Sequence, residues 1–257
     1  PHKPWLFAVS RRPGTRIDVL DYQTGTWVTQ ITCADGYHLY GHAQISANGR
    51  YLLTTEKSSR HEDGRVVIRD ITEHFNIVEE YSSAGIGPHE LRLSHDQKTL
   101  IVANGGIKTE GRKKLNLASM QPSLAYFDMQ TGKLLEQVHL PEEYHQSSIR
   151  HIDISAKGQV LIAMQYEGNP GDTVPLIASH SRGEAISPLT IPSRIHNRLN
   201  QYCSSACFDS SGRFAAVSSP RGNLITLWDM HARNFRAAVK VNDGSGLSKT
   251  GKAGEFL

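Results

Sequence analysis

Ile17-Asp18-Val19-Leu20-Asp21-Tyr22-Gln23-Thr24-Gly25 is an alternating apolar run that ends in an aspartate and a polar turn. The pattern returns as Val66-Val67-Ile68-Arg69-Asp70-Ile71-Thr72 and as Leu124-Ala125-Tyr126-Phe127-Asp128-Met129-Gln130-Thr131-Gly132. It returns again as Leu224-Ile225-Thr226-Leu227-Trp228-Asp229-Met230, and in weaker form as Leu176-Ile177-Ala178-Ser179-His180, with histidine in the aspartate's place. The markers at 21, 70, 128, 180 and 229 are separated by 49, 58, 52 and 49 residues. Alternation is the period of a half-buried strand, and a recurrence at this spacing marks a repeat architecture.

A second unit runs in phase with the first. Ile45-Ser46-Ala47-Asn48-Gly49-Arg50-Tyr51-Leu52-Leu53 is a strand end, a polar turn and an apolar strand. Its copies span 93–101, 154–162 and 208–216. Glycine at 49, 158 and 212 suits the positive φ of such hairpins, and Gln97 breaks the pattern in one copy. Each unit therefore holds four short strands, near 42–46, 51–56, 65–71 and 75–81 in the second. Four antiparallel strands per roughly 40 to 50 residues predict an all-β fold, a β-propeller of four-stranded blades. Two insertions interrupt it. Residues 105–122 read as a polar loop with the basic run Gly111-Arg112-Lys113-Lys114, a solvated loop rather than a nucleic-acid patch; residues 192–202 read as helical, with Ile195 and Leu199 on one face.

The composition is globular, 38% hydrophobic and 21% charged over 257 residues. The net charge of +3 argues against nucleic acid as a partner, since phosphate recognition needs a surplus of Lys and Arg on one face. No apolar run approaches the roughly 18 to 20 residues that span a bilayer. Cys33, Cys203 and Cys207 read as small buried hydrophobes: an extended 203–207 segment separates two Cα atoms by about 13 Å, beyond disulfide reach.

Several stretches resemble a bacterial family known as domain of unknown function 1513. They include Phe7-Ala8-Val9-Ser10-Arg11-Arg12-Pro13-Gly14, Tyr40-Gly41-His42 and Gly85-Ile86-Gly87-Pro88-His89-Glu90-Leu91. Val102-Ala103-Asn104-Gly105-Gly106-Ile107, Lys114-Leu115-Asn116-Leu117 and Gln121-Pro122-Ser123-Leu124-Ala125-Tyr126 continue the likeness, as do Ser148-Ile149-Arg150-His151 and Ser218-Ser219-Pro220-Arg221-Gly222. The resemblance covers nearly the whole chain. It implies a seven-bladed propeller of the WD40-like and quinoprotein-dehydrogenase-like superfamily, with YVTN-like repeats. It implies export through a twin-arginine signal, a periplasmic location, and iron-uptake proteins as partners, because genes of the family often lie beside imelysin-type iron-uptake genes and a di-haem peroxidase-like gene. It supplies no catalytic residues. Against that pattern residues 1–257 form one propeller domain of about five blades, expected to be truncated at both ends, and the export signal lies outside the chain.

In a propeller, the loops leading into the innermost strands share a face with those leaving the second strands. The first set contributes His42, His89, Arg150 and His151; the second contributes Arg11, Arg12, Glu56, Asn104, Gln165 and Arg221. Convergent polar groups at one mouth make a candidate binding site. His42, His89 and His151 stand at nearly the same place in three blades, and imidazole suits iron, copper, nickel and zinc. Glu56 would add a carboxylate oxygen, and a transition metal, iron or copper, would be the cofactor. The other reading is structural: a histidine beginning an inner strand often bonds neighbouring strands, and Gly41-His42 resembles the Gly-His of WD40-like blades. Arg11, Arg12, Asn104, Arg150, Gln165 and Arg221 form the expected ligand-binding set, the arginines suited to bidentate capture of an anion or to blade-to-blade ion pairs.

Catalytic motifs are missing. There is no Gly-x-Ser-x-Gly elbow; His89-Glu90 is followed by Leu93 where a zincin needs histidine; Gly85-Ile86-Gly87 lacks the third glycine of a dinucleotide loop. The first expectation is a non-enzymatic periplasmic propeller that binds an iron species or a partner protein on the His42, His89, His151 face. The alternative is a metal-dependent enzyme, a lactonase-like hydrolase or an oxidoreductase, since propeller enzymes assemble sites from scattered residues.

Overall fold

The computed structural model describes residues 3–58, 63–111 and 113–257. Its first sheet has three strands, β1 (Trp5–Val9), β2 (Arg16–Asp21) and β3 (Thr26–Thr32). The second is β4 (Tyr37–Ile45), β5 (Tyr51–Ser58), β6 (Asp63–Asp70) and β7 (Asn76–Ile86), paired in that order. The third begins with β8 (Pro88–Leu93) and β9 (Thr99–Asn104). The insertion after β9 is a small hairpin, β10 (Thr109–Glu110) with β11 (Lys113–Lys114), and the sheet resumes with β12 (Ser123–Asp128) and β13 (Leu134–His139). Arg112 of the basic run lies outside the described residues.

The fourth sheet is β14 (Ser147–Ile154), β15 (Val160–Tyr166), β16 (Ile177–His180) and β17 (Ser187–Pro188). A helical turn, α1 (Ser193–His196), continues as a tighter turn to Leu199, so the segment expected to be helical is, but only briefly. The fifth is β18 (Ala206–Phe208), β19 (Phe214–Ser219), β20 (Leu224–Asp229) and β21 (Asn234–Lys240). All pairings are antiparallel.

The repeated aspartates close a turn. Asp21 Oδ1 accepts the amides of Gln23 and Thr24, and Asp128 Oδ1 those of Gln130 and Thr131. Asp70 accepts from Thr72, and Asp229 from His231 and Ala232. A short acidic side chain mimics a backbone turn in this way. The hairpin glycines 49, 158 and 212 have φ of +70°, +82° and +67°, and Gln97 takes +61° in their stead. Its side chain offsets that strain: Nε2 donates to the Ser94 carbonyl at 3.0 Å, and Oε1 accepts from the Ala47 amide of the preceding sheet at 2.8 Å.

The core sits between successive sheets. Ile17, Val19 and Ile31 of the first pack with Leu39 and Leu52 of the second, and Leu53, Val66 and Ile68 with Leu91, Val102 and Phe127 of the third. The pattern continues with Leu124 and Tyr126 against Ile149 and Ile162, then with Leu161 and Ala163 against Phe208 and Trp228. The first strand of each four-stranded sheet touches the first strand of the next, from β4 to β8 to β14 to β18. These four strands form the inner ring. One side chain from each of the first three accepts an amide of its successor: Gln44 from Leu93 (2.8 Å), Glu90 from Ile152 (2.9 Å) and Asp153 from Phe208 (2.7 Å). The cysteines are free and buried, and burial pushes the Cys33 thiol up to about 12 and that of Cys207 to about 11.

Glu56 does not serve the mouth. It lies inside β5, fully buried, with Oε1 2.6 Å from Arg69 Nη2 and Oε2 2.7 Å from Arg65 Nη2. Strand β5 runs on to Ser58, so position 56 is in the sheet rather than in the loop expected there. Glu56→Ala strands the buried Arg69 charge. Urea unfolding is expected to show a loss of about 3–5 kcal/mol; a loss under about 1 kcal/mol would put the pair on the level of an exposed one.

Candidate metal centre and its surroundings

His42, His89 and His151 come from three neighbouring inner strands, β4, β8 and β14. Each of these strands carries an irregularity beside its histidine: between Leu39 and Ala43, between Pro88 and Glu90, and between Ile149 and His151. A bulge re-aims side chains, placing successive residues on one side where a regular strand would alternate them. The result is a triangle of imidazoles. Ring centroids are 5.1 Å apart for His42 and His89, 4.9 Å for His42 and His151, and 4.8 Å for His89 and His151. One ligand nitrogen from each lies within 4.8 Å of the others. Tetrahedral zinc with bonds of about 2.0–2.1 Å would bring its nitrogens to about 3.3 Å from one another. To share one ion the imidazoles would have to draw closer by up to about 1.5 Å.

Beneath the triangle lies Glu90, 3% exposed. Its Oε2 is 3.2 Å from His151 Nδ1 and accepts the Ile152 amide; its Oε1 is 2.8 Å from Arg92 Nη2 and 3.7 Å from His42 Nδ1. Burial alone would raise this carboxyl, but Arg92, His151 and His42 outweigh it and hold it near 2. A carboxylate beside the Nδ1 atoms of two imidazoles is the kind of partner that orients histidine ligands at metal sites. Burial pushes His42 down to about 4 and His89 well below its ordinary range, and Arg150 and His151 add to the effect on His89. Both are therefore neutral at neutral pH, as a metal ligand must be.

The other expected residues divide. Arg11 is exposed, and its charge reaches His42 and His89; a Cβ on Gly41 (φ +95°) would stand 2.7 Å from Arg11 Cγ, so glycine permits this approach. Arg12 donates to Thr109 Oγ1 at 2.8 Å, and Arg150 Nη2 lies 3.3 Å from Glu167 Oε1. Arg12, Arg150 and His89 line one narrow pocket with Tyr40 and Lys114. Asn104 is instead a buried clamp, donating to the Ser83 carbonyl at 2.9 Å. Gln165 bridges through its backbone to Tyr202, over whose ring Arg221 stacks at 4.6 Å. Glu56 is held between Arg65 and Arg69. The structure thus gathers the three histidines, Arg12 and Arg150, and leaves Glu56, Asn104, Gln165 and Arg221 to structural contacts. Glu90, Arg92, Tyr40 and Lys114 were not foreseen. The adjacency of His89 and Glu90, and of Tyr40 and His42, is a signal only once the bulges are known.

A family profile described as "Protein of unknown function (DUF1513)" matches residues 1–257. No curated protein matches the chain. Among solved structures, Kuenenia stuttgartiensis hydrazine synthase is similar with a TM-score of 0.70 and 18% identity, over 96% of this chain and 73% of that one. Dihydro-heme d1 dehydrogenase NirN gives 0.60 and 16%, over 93% and 44%. The β-propeller domain of Myceliophteria thermophila Swd1 gives 0.55 and 14%, over 80% and 57%. At these identities the likeness carries the fold alone, and the fold is a β-propeller.

The depressed histidines make stability depend on pH in the metal-free protein. Between the ordinary value of 6.5 and about 4 for His42, the unfolded chain binds protons that the folded chain does not. Stability is therefore complete above the unfolded value and falls as pH drops through this window. Urea unfolding at a series of pH values is expected to show that slope, and His42→Gln is expected to lessen it. An unchanged slope would mean that His42 is not held neutral by burial.

Proposed function

The chain belongs to that family, and from this premise we propose that it is a metal-binding propeller holding one transition-metal ion on His42, His89 and His151. The observation that carries the proposal is the convergence of three imidazoles, two of them held neutral, from three successive inner strands. Imidazole nitrogen suits iron, copper and zinc. Three protein ligands leave a coordination position open, so an ion here would bind a further ligand.

The proposed role is binding rather than turnover. The carboxylate beside the triad, Glu90, is engaged by Arg92, the Ile152 amide and His151, which fits an orienting group better than a general base. A periplasmic location, iron as the metal and iron-uptake proteins as partners are part of the proposal on the family resemblance alone. Among the described residues no helix is long and apolar enough to cross a membrane.

A second reading, a metal-dependent hydrolase or oxidoreductase, is favoured by one feature: the narrow pocket bounded by Arg12, Tyr40 and Arg150 adjoins His89, so one oxygen of a substrate held at its mouth would stand near the ion. Turnover of lactones or esters by the metal-loaded protein, lost in His89→Ala, would support this reading over the first.

Protein purified without chelators or a histidine tag is expected to carry, or take up in calorimetric titration with iron(II), copper(II) or zinc(II), one ion per chain. His42→Ala and His151→Ala are each expected to abolish high-affinity uptake. Glu90→Gln should weaken it by about 10–100-fold. No metal after purification and no uptake on titration would leave the histidines a purely structural set.

A further inference from the structure

The pocket beside His89 holds hydrogen-bonding groups that no described residue satisfies. Three cations line or face it, Arg12, Lys114 and Arg150, and one carboxylate, Glu167, reaches two of them. Arg150 is partly buried, its side chain 19% exposed. Its Nε has no partner among the described residues, and its Nη2 meets Glu167 only at 3.3 Å. Tyr40 is 8% exposed, and its hydroxyl likewise has no partner among the described residues. His89, which lines the same pocket, has an Nδ1 with no partner among the described residues. Unpaired buried polar groups cost about 1–3 kcal/mol each, and native proteins seldom leave several together.

Glycines keep the pocket open. Gly87 has φ +67°, and a Cβ there would stand 3.7 Å from the Tyr40 hydroxyl and 3.3 Å from the Ile107 carbonyl. At Gly105 a Cβ would come within 2.7 Å of Ser148 Oγ. The enclosed space is about 20 Å³, room for one water-sized atom, so a ligand would enter with a single oxygen and keep the rest of its bulk at the mouth. Surplus positive charge, a phenolic donor and little room together select a small, hydrogen-bond-accepting anion.

We propose that Arg12, Tyr40 and Arg150, with Lys114 at the rim, form a binding site for a small oxyanion, a free carboxylate-sized ion or the carboxylate head of a larger molecule. The donors are in place without a metal, so this site stands apart from the histidine centre. Its neighbour His89 would let a bound anion approach an ion held there.

Metal-free protein is titrated with formate and bicarbonate at constant ionic strength, and binding is read by calorimetry and thermal unfolding. Saturable binding is expected, weakened by about tenfold in Tyr40→Phe, which removes one hydroxyl, and abolished in Arg150→Gln. Lys114→Gln, at the rim, gives a smaller loss and covers the case in which Arg150→Gln does not fold. Acetate and longer carboxylates separate the two sources. Binding that falls with chain length identifies a free small anion, and equal binding identifies a carboxylate head. No saturable response to either formate or bicarbonate, or a response unchanged in Tyr40→Phe and Lys114→Gln, overturns the proposal. Metal titration of the same protein reports separately, so failure of the anion site leaves the histidine centre untouched.

Discussion

The Glu90 carboxylate ties the inner ring together. Both its oxygens are engaged, one by Arg92 on its own strand, the other by the Ile152 amide and His151 of the next blade. A buried carboxylate without these partners would carry a large desolvation penalty; with them it is ionised and fixed. The same bond that docks one blade on the next therefore sets the orientation of an imidazole. Gln44 and Asp153 make equivalent links from their own strands, but only Glu90 also reaches two histidines.

Propeller blades meet face to face through alternating apolar residues, which leaves the inner strands polar and close to one another. Their side chains would normally alternate between axis and interface. Irregularities in β4, β8 and β14 break the alternation beside the histidines. Strand β18 pairs with β19 without such a shift, and no histidine from it joins the triangle. Bulged positions thus coincide with the candidate site, as is common where a strand must present a side chain off its regular face. The pocket that His89 lines carries surplus positive charge, at Arg12, Lys114 and Arg150, while the Nδ1 atoms of His42 and His151 face the Glu90 carboxylate.

Much of this was legible in the chain. The aspartate markers and glycine hairpins gave away strand, turn and blade because each depends on neighbours a few residues apart: Asp128 needs only Gln130 and Thr131 to close its turn. The phase of His42, His89 and His151 was legible too, since a repeat carries position with it. Glu56 was misplaced because strand ends are weakly encoded. Two more residues of pairing, to Ser58, keep it inside the sheet, between Arg65 and Arg69. Glu90 was passed over because its neighbour His89 lacked a helical metal-binding partner at Leu93, a test that does not apply on a strand.

Local pattern is enough to specify the repeat, the four-stranded blade and three histidines in register, because alternation and turn chemistry recur within each unit. Only the tertiary structure decided that the three imidazoles meet, that Glu90 rather than Glu56 stands beside them, and that Tyr40, Arg12 and Arg150 share a pocket. Those facts depend on bulges and on how one sheet seats against the next. They join residues as far apart as Glu90 and Ile152, separated by 62 positions, through packing and desolvation that no local pattern records.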